Sequence, residues 1–389
     1  MENNQTSSNI SNIVESNNQF ALDYYFQLKN KESGNVFLSP FSIYSILAMA
    51  YEGARGQTAE EMRSLLHLPT DDSLRRSEYA TTVEGLNNDD KKYKISIANA
   101  LWAQQDYKFL DEYLNIVENF YGGKATNLDF KKDPEGSRTT INNWIEEQTN
   151  DKIKDLIPFG IIDGSTRLIL TNAIYFKGEW VRQFNAEETR NENFRINANE
   201  SIDVQMMRRV DEDAKFNYTE NDDLQILEMP YSGEELSMLI LLPKNDDLET
   251  LENLLSTKKL SEWKQDLENQ RVVVSIPKFK FETKYFMAKD LKAMGVPTAF
   301  DWPGANFSGM DGAEELFIGE VIHQALVEVT EEGTEAAAAT TVVSLKGSMR
   351  SNNTHTIPVF RANHPFIFLI QEKTNGNILF MGRVVNPTL

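Results

Sequence analysis

The chain has 389 residues, 40% of them hydrophobic and 25% charged, with 20 glycines and 12 prolines, a globular composition that excludes collagen-like, low-complexity and wholly disordered classes. Lys and Arg number 39 against 59 Asp and Glu, and the resulting net charge of −20 repels phosphate backbones and disfavours nucleic-acid binding. Cysteine is absent, which excludes disulfides, Cys-ligated zinc, iron–sulfur clusters and thiol nucleophiles.

Residues 1–15 are polar and rich in Asn and Ser, and are expected to form a flexible arm ahead of a domain over 16–389. They show neither a basic n-region nor an apolar h-region, so they do not read as a signal peptide. The compartment stays open: extracellular if this is a mature form, cytoplasmic if the chain is complete. No uncharged apolar stretch reaches ~18 residues, so no membrane span is expected. Sequons at Asn199, Asn217, Asn306 and Asn352 carry little weight in an Asn-rich chain.

Phe20, Tyr24 and Leu28 recur at helical spacing and predict an opening amphipathic helix. Asn35-Val36-Phe37-Leu38-Ser39-Pro40 reads as a short strand closed by a turn, and the apolar segment from Phe41 to Tyr51 as a buried helix ended by Gly53 and Gly56. Thr58 with Glu61 predicts a capping box for a helix through Leu66. Residues 70–92 read as polar, turn-rich surface with two basic clusters, Arg75-Arg76 and Lys91-Lys92. A strand is expected over Ile95 to Trp102, helices over Tyr113 to Phe120 and Thr139 to Gln148, and a central strand over Leu168 to Phe176, with Thr171 and Asn172 as buried polar residues. The second half is mostly β, with strands at Leu224 to Met229, Leu236 to Leu242 and Val272 to Ile276, each followed by a proline. Phe366 to Ile370 and Ile378 to Val385 flank an Asn375-Gly376 hairpin signal. There is neither a repeat nor a linker, so the pattern is one large α+β domain.

The chain carries no metalloprotease, nucleophile-elbow, P-loop or dinucleotide motif. Its four histidines, His67, His323, His355 and His364, stand in apolar or loop contexts that suit structural roles. A Ser-His-Asp triad assembled from distant residues stays open on spacing alone. Nothing marks an enzyme, and no metal or cofactor is expected.

One segment does not fit an ordinary fold. Glu328 to Val343 joins helix-forming Glu and Ala to β-favouring Thr340 to Val343 across Gly333, and the following stretch to Pro365 has no core pattern. Read with period two, Thr334, Ala336, Ala338, Thr340, Val342 and Ser344 share a face of small side chains, with Glu335 on the other. Such a segment can slide between existing strands, provided the host sheet's hydrogen bonds drive it.

These features resemble the serpin family over nearly the whole chain, from about Phe20 to the C-terminus. Asn35 to Ile43 resembles the family's early strand and second helix, and Thr171 to Trp180 its central strand and following turn. Glu331 to Thr340 is similar to the proximal hinge of an inhibitory reactive-centre loop, and His364-Pro365-Phe366 with Gly382 to Pro387 to the closing strands. The resemblance implies a single α+β domain of three β-sheets and about nine helices with an exposed reactive-centre loop over about 331–360. It implies an inhibitor of serine proteases acting as a suicide substrate, monomeric, with a covalent acyl complex as its partnership and no nucleic acid or membrane involved.

The same resemblance assigns roles. The hinge is Glu331, Gly333, Thr334, Glu335, Ala336, Ala337, Ala338, Ala339 and Thr340; Ser39, Asn172 and His323 form the shutter beneath the sheet opening. Trp180, Lys278 and Glu331 form the breach at its top, with a Lys–Glu pair. Counting from the hinge glycine puts the reactive bond at Gly347–Ser348, where glycine offers an S1 pocket nothing. Lys346–Gly347 and Arg350–Ser351 suit trypsin-like proteases, with the lean toward Lys346, and Leu345 suits chymotrypsin- or subtilisin-like ones. If the family's occasional polyanion cofactor were used, Arg75, Arg76, Lys91 and Lys92 are the candidates, against an acidic background. Two other readings stay open: a noninhibitory member acting as a substrate or binding protein, and a hydrolase with an unrecognised triad.

Overall fold

A computed structural model describes residues 12–86, 91–334 and 357–389. The reactive-bond candidates Leu345, Lys346, Gly347, Ser348, Arg350 and Ser351, the hinge residues from Glu335 to Thr340, and His355 lie outside the described residues.

In chain order the first half runs α1 (Ile13–Lys29), β1 (Val36–Leu38), α2 (Pro40–Gly53), α3 (Gly56–Leu65), α4 (Asp72–Leu86), β2 (Tyr93–Gln104), α5 (Asp111–Tyr121), β3 (Lys124–Leu128), α6 (Pro134–Gln148) and β4 (Leu168–Glu179). Then follow β5 (Arg190–Asn197), β6 (Glu200–Arg209), β7 (Lys215–Glu220), β8 (Leu224–Pro230), β9 (Leu236–Pro243), α7 (Leu248–Leu254) and α8 (Thr257–Gln265). Last come β10 (Glu268–Arg271), β11 (Val273–Pro277), β12 (Phe279–Phe286), α9 (Ala288–Ala293), α10 (Ser308–Asp311), β13 (Ile318–Val329), β14 (Gly333–Thr334), β15 (Val359–Arg361), β16 (Phe366–Glu372) and β17 (Ile378–Val384).

The strands form three sheets: β1-β17-β16-β9-β8-β7-β10, β15-β11-β6-β5, and β12-β13-β14-β4-β2-β3. Within the last, β4 and β13 are parallel along Ile318↔Leu168 to Leu326↔Tyr175, and β14 is antiparallel to both. The domain contains two compact units, Met1–Phe176 with Glu282–Leu326 and Leu369–Gly382, and Lys177–Phe281 with Val327–Phe368 and Arg383–Leu389.

In the first unit, α2 is buried on all sides except at Tyr51, as its apolar composition requires. Pro40 sits in its first turn and Ser39 caps it, accepting from the Ser42 amide, so β1 passes directly into the helix where a turn was expected. Helix α6, capped by Asp133 with Pro134 in its first turn, packs Ile141 and Ile145 onto Trp102 of β2, Ile169 and Ala173 of β4 and Ile322 of β13. Each such fully buried isoleucine contributes about 1.5–3 kcal/mol relative to exposure. Trp102 satisfies its indole N–H on the Thr171 hydroxyl at 2.8 Å.

In the second unit, β8 and β9 form a buried antiparallel pair from Leu224↔Pro243 to Pro230↔Ser237, so Pro230 and Pro243 are the strands' last residues rather than stops before them. The polar hairpin β5–β6 buries Phe194 and Val204 on one face.

Three expectations are corrected. Residues 72–86 are the helix α4, not turn-rich surface, because Tyr79, Leu86 and Arg75 are buried along it. The capping box at Thr58 and Glu61 does not form. Residue Arg55 takes the N-cap of α3, the Thr58 hydroxyl accepts from the Asn306 amide, and the Glu61 carboxylate accepts from the amide and hydroxyl of Thr298. Helix α1 starts at Ile13, inside the stretch read as an arm, because Asn12 caps it through the Glu15 amide.

Candidate functional site

Ser39, Asn172 and His323, brought from α2's cap, β4 and β13, are all fully buried and form one hydrogen-bonded cluster. The Ser39 amide donates to His323 Nε2 at 3.2 Å, so Nδ1 carries the ring's proton and donates to Asn172 Oδ1. Asn172 Nδ2 donates to the Ser42 carbonyl at 3.1 Å and also contacts Ser42 Oγ and Asn99 Oδ1. Ser39 Oγ donates to the Leu379 carbonyl at 2.7 Å and accepts from the Ser42 amide at 3.2 Å. The imidazole lies parallel to the Tyr285 ring, 6.3 Å away, and burial pushes its pKa down to about 3, keeping it neutral.

His323 and Asn172 face each other across the parallel β4–β13 pairing. Their hydrogen bond therefore ties the two strands at side-chain level in addition to the ladder. Ser42 and Asn99 belong to this cluster and were not read from the sequence. Asn99 is a polar residue inside the apolar β2 run, the same signal that marks Asn172.

The second cluster brings together Trp180, Lys278 and Glu331 with Thr189, Thr330, Tyr231 and Thr334. Trp180 stacks on Tyr231 at 4.5 Å between ring centroids and donates its indole N–H to the Thr330 carbonyl at 3.0 Å. Lys278 Nζ lies 2.8 Å from one Glu331 carboxylate oxygen, and the Thr189 hydroxyl donates to the other at 2.8 Å. Burial pushes the Glu331 carboxyl up, but the bonds from Lys278, its own amide and Thr189 outweigh it and hold the group below the usual carboxylate range. The Lys278 side chain is 35% exposed, so the pair's own contribution to stability is modest, about 0–1 kcal/mol.

Between these residues the chain turns. The Thr330 amide donates to the Gly333 carbonyl at 2.8 Å, which closes a tight turn and returns the backbone as β14. Thr334 then pairs with Val329 on one side and Gly178 on the other, and Gly333 pairs with Glu179. Glycine is required at 333: a Cβ there would overlap the Gly178 carbonyl oxygen and come within 2.7 Å of the Glu179 Cα. The Thr334 side chain is 1% exposed, and its hydroxyl is 2.7 Å from the Tyr231 hydroxyl.

The basic cluster Arg75-Arg76 is not a surface site. Arg75 is 1% exposed and pairs with Glu52 at 2.8 Å and Asp72 at 2.6 Å, while Arg76 takes the second Glu52 oxygen at 2.6 Å and Tyr121 also donates to that carboxylate. These two arginines tie α4 to α2 and are committed there; Lys91 and Lys92 lie just ahead of β2 in the chain. Among the described residues no group of three or more His, Cys, Asp or Glu could hold a metal ion, and no helix is long and apolar enough to cross a membrane. His364 is buried with Nε2 2.7 Å from the Pro243 carbonyl, and His67 lies 2.7 Å from Asp23.

A sequence model described as serpin (serine protease inhibitor) matches residues 15–387. An uncharacterised serpin-like protein of Thermococcus kodakarensis is 44% identical over 377 residues, covering 96% of this chain and 86% of the relative. Human leukocyte elastase inhibitor is 39% identical, covering 96% of this chain and 99% of its own. Among solved structures, human thyroxine-binding globulin complexed with thyroxine superposes with a TM-score of 0.86 at 28% identity, over 97% of this chain and 99% of that one.

Proposed function

The chain belongs to the serpin family, and from that premise we propose that it inhibits serine proteases as a suicide substrate and catalyses no reaction of its own. The mechanism is the family's, carried over to this chain. The protease serine attacks a carbonyl in the segment after Thr334, forms an ester with that residue and releases the new amino terminus as the leaving amine. The cut segment adds as a strand between β13 and β4 and carries the acylated protease with it. Distortion of the protease active site then stalls hydrolysis of the ester.

The observation that supports this reading is β14. Gly333 and Thr334 already hold strand positions between β13 and β4, in the antiparallel sense that further insertion would continue. The residues that follow, Ala336, Ala338 and Thr340, have the small side chains that such a strand needs at its buried face. Lys346, Arg350 and Leu345 supply bonds for trypsin-like, chymotrypsin-like or subtilisin-like targets, and the active species is a monomer.

The test is incubation with trypsin, chymotrypsin and subtilisin in separate reactions, followed by denaturing gels and mass spectrometry of the released peptide. A denaturant-resistant complex near the summed masses is expected with at least one of them, and the peptide's first residue names the bond. Cleavage by every protease without a complex would overturn inhibition and leave a family member that acts as a substrate or binding protein, as thyroxine-binding globulin does in carrying thyroxine.

A further inference from the structure

Resting on the suicide-substrate reading, we propose that Tyr231 is a positioning residue for loop insertion: its hydroxyl latches Thr334 into the sheet, so that insertion starts from a seated hinge. Tyr231 is rigidly placed for this. It is fully buried, stacked on Trp180, paired with Trp180 through the backbone, and tied at its amide to the Leu236 carbonyl at 3.0 Å. Thr334 is the partner: it is the residue where β14 leaves the Thr330–Gly333 turn, and it lies between Val329 and Gly178.

The Tyr231–Thr334 bond exists only while Thr334 holds that register. A contact made in one state and absent in the other shifts the balance between them by its own differential strength. One neutral hydroxyl–hydroxyl bond in a buried setting shifts the balance about fivefold. Residues Glu331 and Lys278 hold the turn before Gly333, whereas Tyr231 acts on the first residue beyond it, so their effects are separable. Insertion competes with hydrolysis of the acyl-enzyme, and a hinge that must first find its register gives hydrolysis more time. The latch therefore acts on the partition between trapping and turnover rather than on the initial attack.

Tyr231→Phe and Thr334→Val each remove one hydroxyl at nearly constant volume. Titrated against whichever of trypsin, chymotrypsin or subtilisin the parent traps, each is expected to raise the ratio of turnover to trapping about fivefold. The rate of the first cleavage should be unchanged. The double variant is expected to match the single ones, because both break the same bond. Ratios equal to the parent's, or effects that multiply in the double variant, would overturn the latch, since general loosening of the Trp180–Tyr231 packing would act independently of Thr334.

A second arm does not depend on trapping. Hydrogen–deuterium exchange of the Thr334 amide, read by mass spectrometry on peptides that cover β14, reports how often the residue leaves its register. The latch predicts slow exchange in the parent and several-fold faster exchange in Tyr231→Phe. Equal rates would sink the latch even if the parent traps a protease. Faster rates together with no complex from any protease would leave the latch standing and remove the inhibitory reading.

Discussion

His323 has both ring nitrogens committed, one accepting from the Ser39 amide and the other donating to Asn172, with the Tyr285 ring alongside. A second proton would have to sit on Nε2, where it would meet the Ser39 N–H head on. The folded pKa of about 3 lies below the ordinary 6.5, so this group's contribution to stability is complete above pH 6.5 and is lost as pH falls toward 3. His323→Gln removes the titration. The unfolding free-energy difference between the parent and this variant should shrink by about 1.4 kcal/mol per pH unit below about pH 6.5. Urea midpoints measured at half-unit steps from pH 7.5 to 4.5 would check it, and a difference independent of pH would remove His323 from the account. Glu331 works in the same direction in the parent and the variant, because its lowered carboxyl also costs stability on acidification, so the comparison cancels it.

At the scale of the element, β14 is two residues long and held by the Thr330–Gly333 turn, so a side chain that cannot be buried at 334 should unseat it without unfolding the sheet around it. Thr334→Arg places a guanidinium where 1% exposure leaves it no water, an unpaired buried charge that the segment avoids by leaving the sheet. The expected outcome is retained cleavage by the target protease, loss of the denaturant-resistant complex, and a melting temperature within a few degrees of the parent's. Retention of the complex in this variant would argue that Thr334 need not be buried for trapping. The elements themselves were unevenly legible. Helices α2, α5 and α6 and strands β2, β4, β9, β16 and β17 carry apolar runs or periodicities that survive folding almost unchanged. Helix α4 escaped because Arg75, one of its three buried residues, is paid for by Glu52 two elements away, a partner no local window contains. The false capping box has the same cause: Thr58 and Glu61 spend their oxygens on Asn306 and Thr298. Of the site, Asn172 was readable as a polar residue in an apolar strand, whereas Tyr231 looks like any core aromatic and its hydroxyl acquires meaning only once Thr334 is beside it.

At the scale of the whole molecule the question is what drives the segment after Thr334 into the sheet. Along β4 and β13 the present pairing is parallel, running from Ile318↔Leu168 to Leu326↔Tyr175. A strand continuing β14 would be antiparallel to both neighbours, so one parallel ladder would be exchanged for two antiparallel ones, which are also somewhat more stable per residue. The cost is the parting of β4 from β13, including the Asn172–His323 bond that spans them. On the suicide-substrate proposal, that gain is released when a bond between residues 335 and 356 is broken. With each added ladder bond worth about 1 kcal/mol net, cutting should raise the melting temperature by roughly ten degrees or more. Calorimetry on the chain before and after limited digestion, with mass spectrometry to confirm a single cut, measures this directly. An unchanged melting temperature would mean that the cut segment stays outside the sheet. The ester of a protease cut at that bond would then hydrolyse at its ordinary rate, and the polar cluster around His323 would be holding shut a seam that nothing enters.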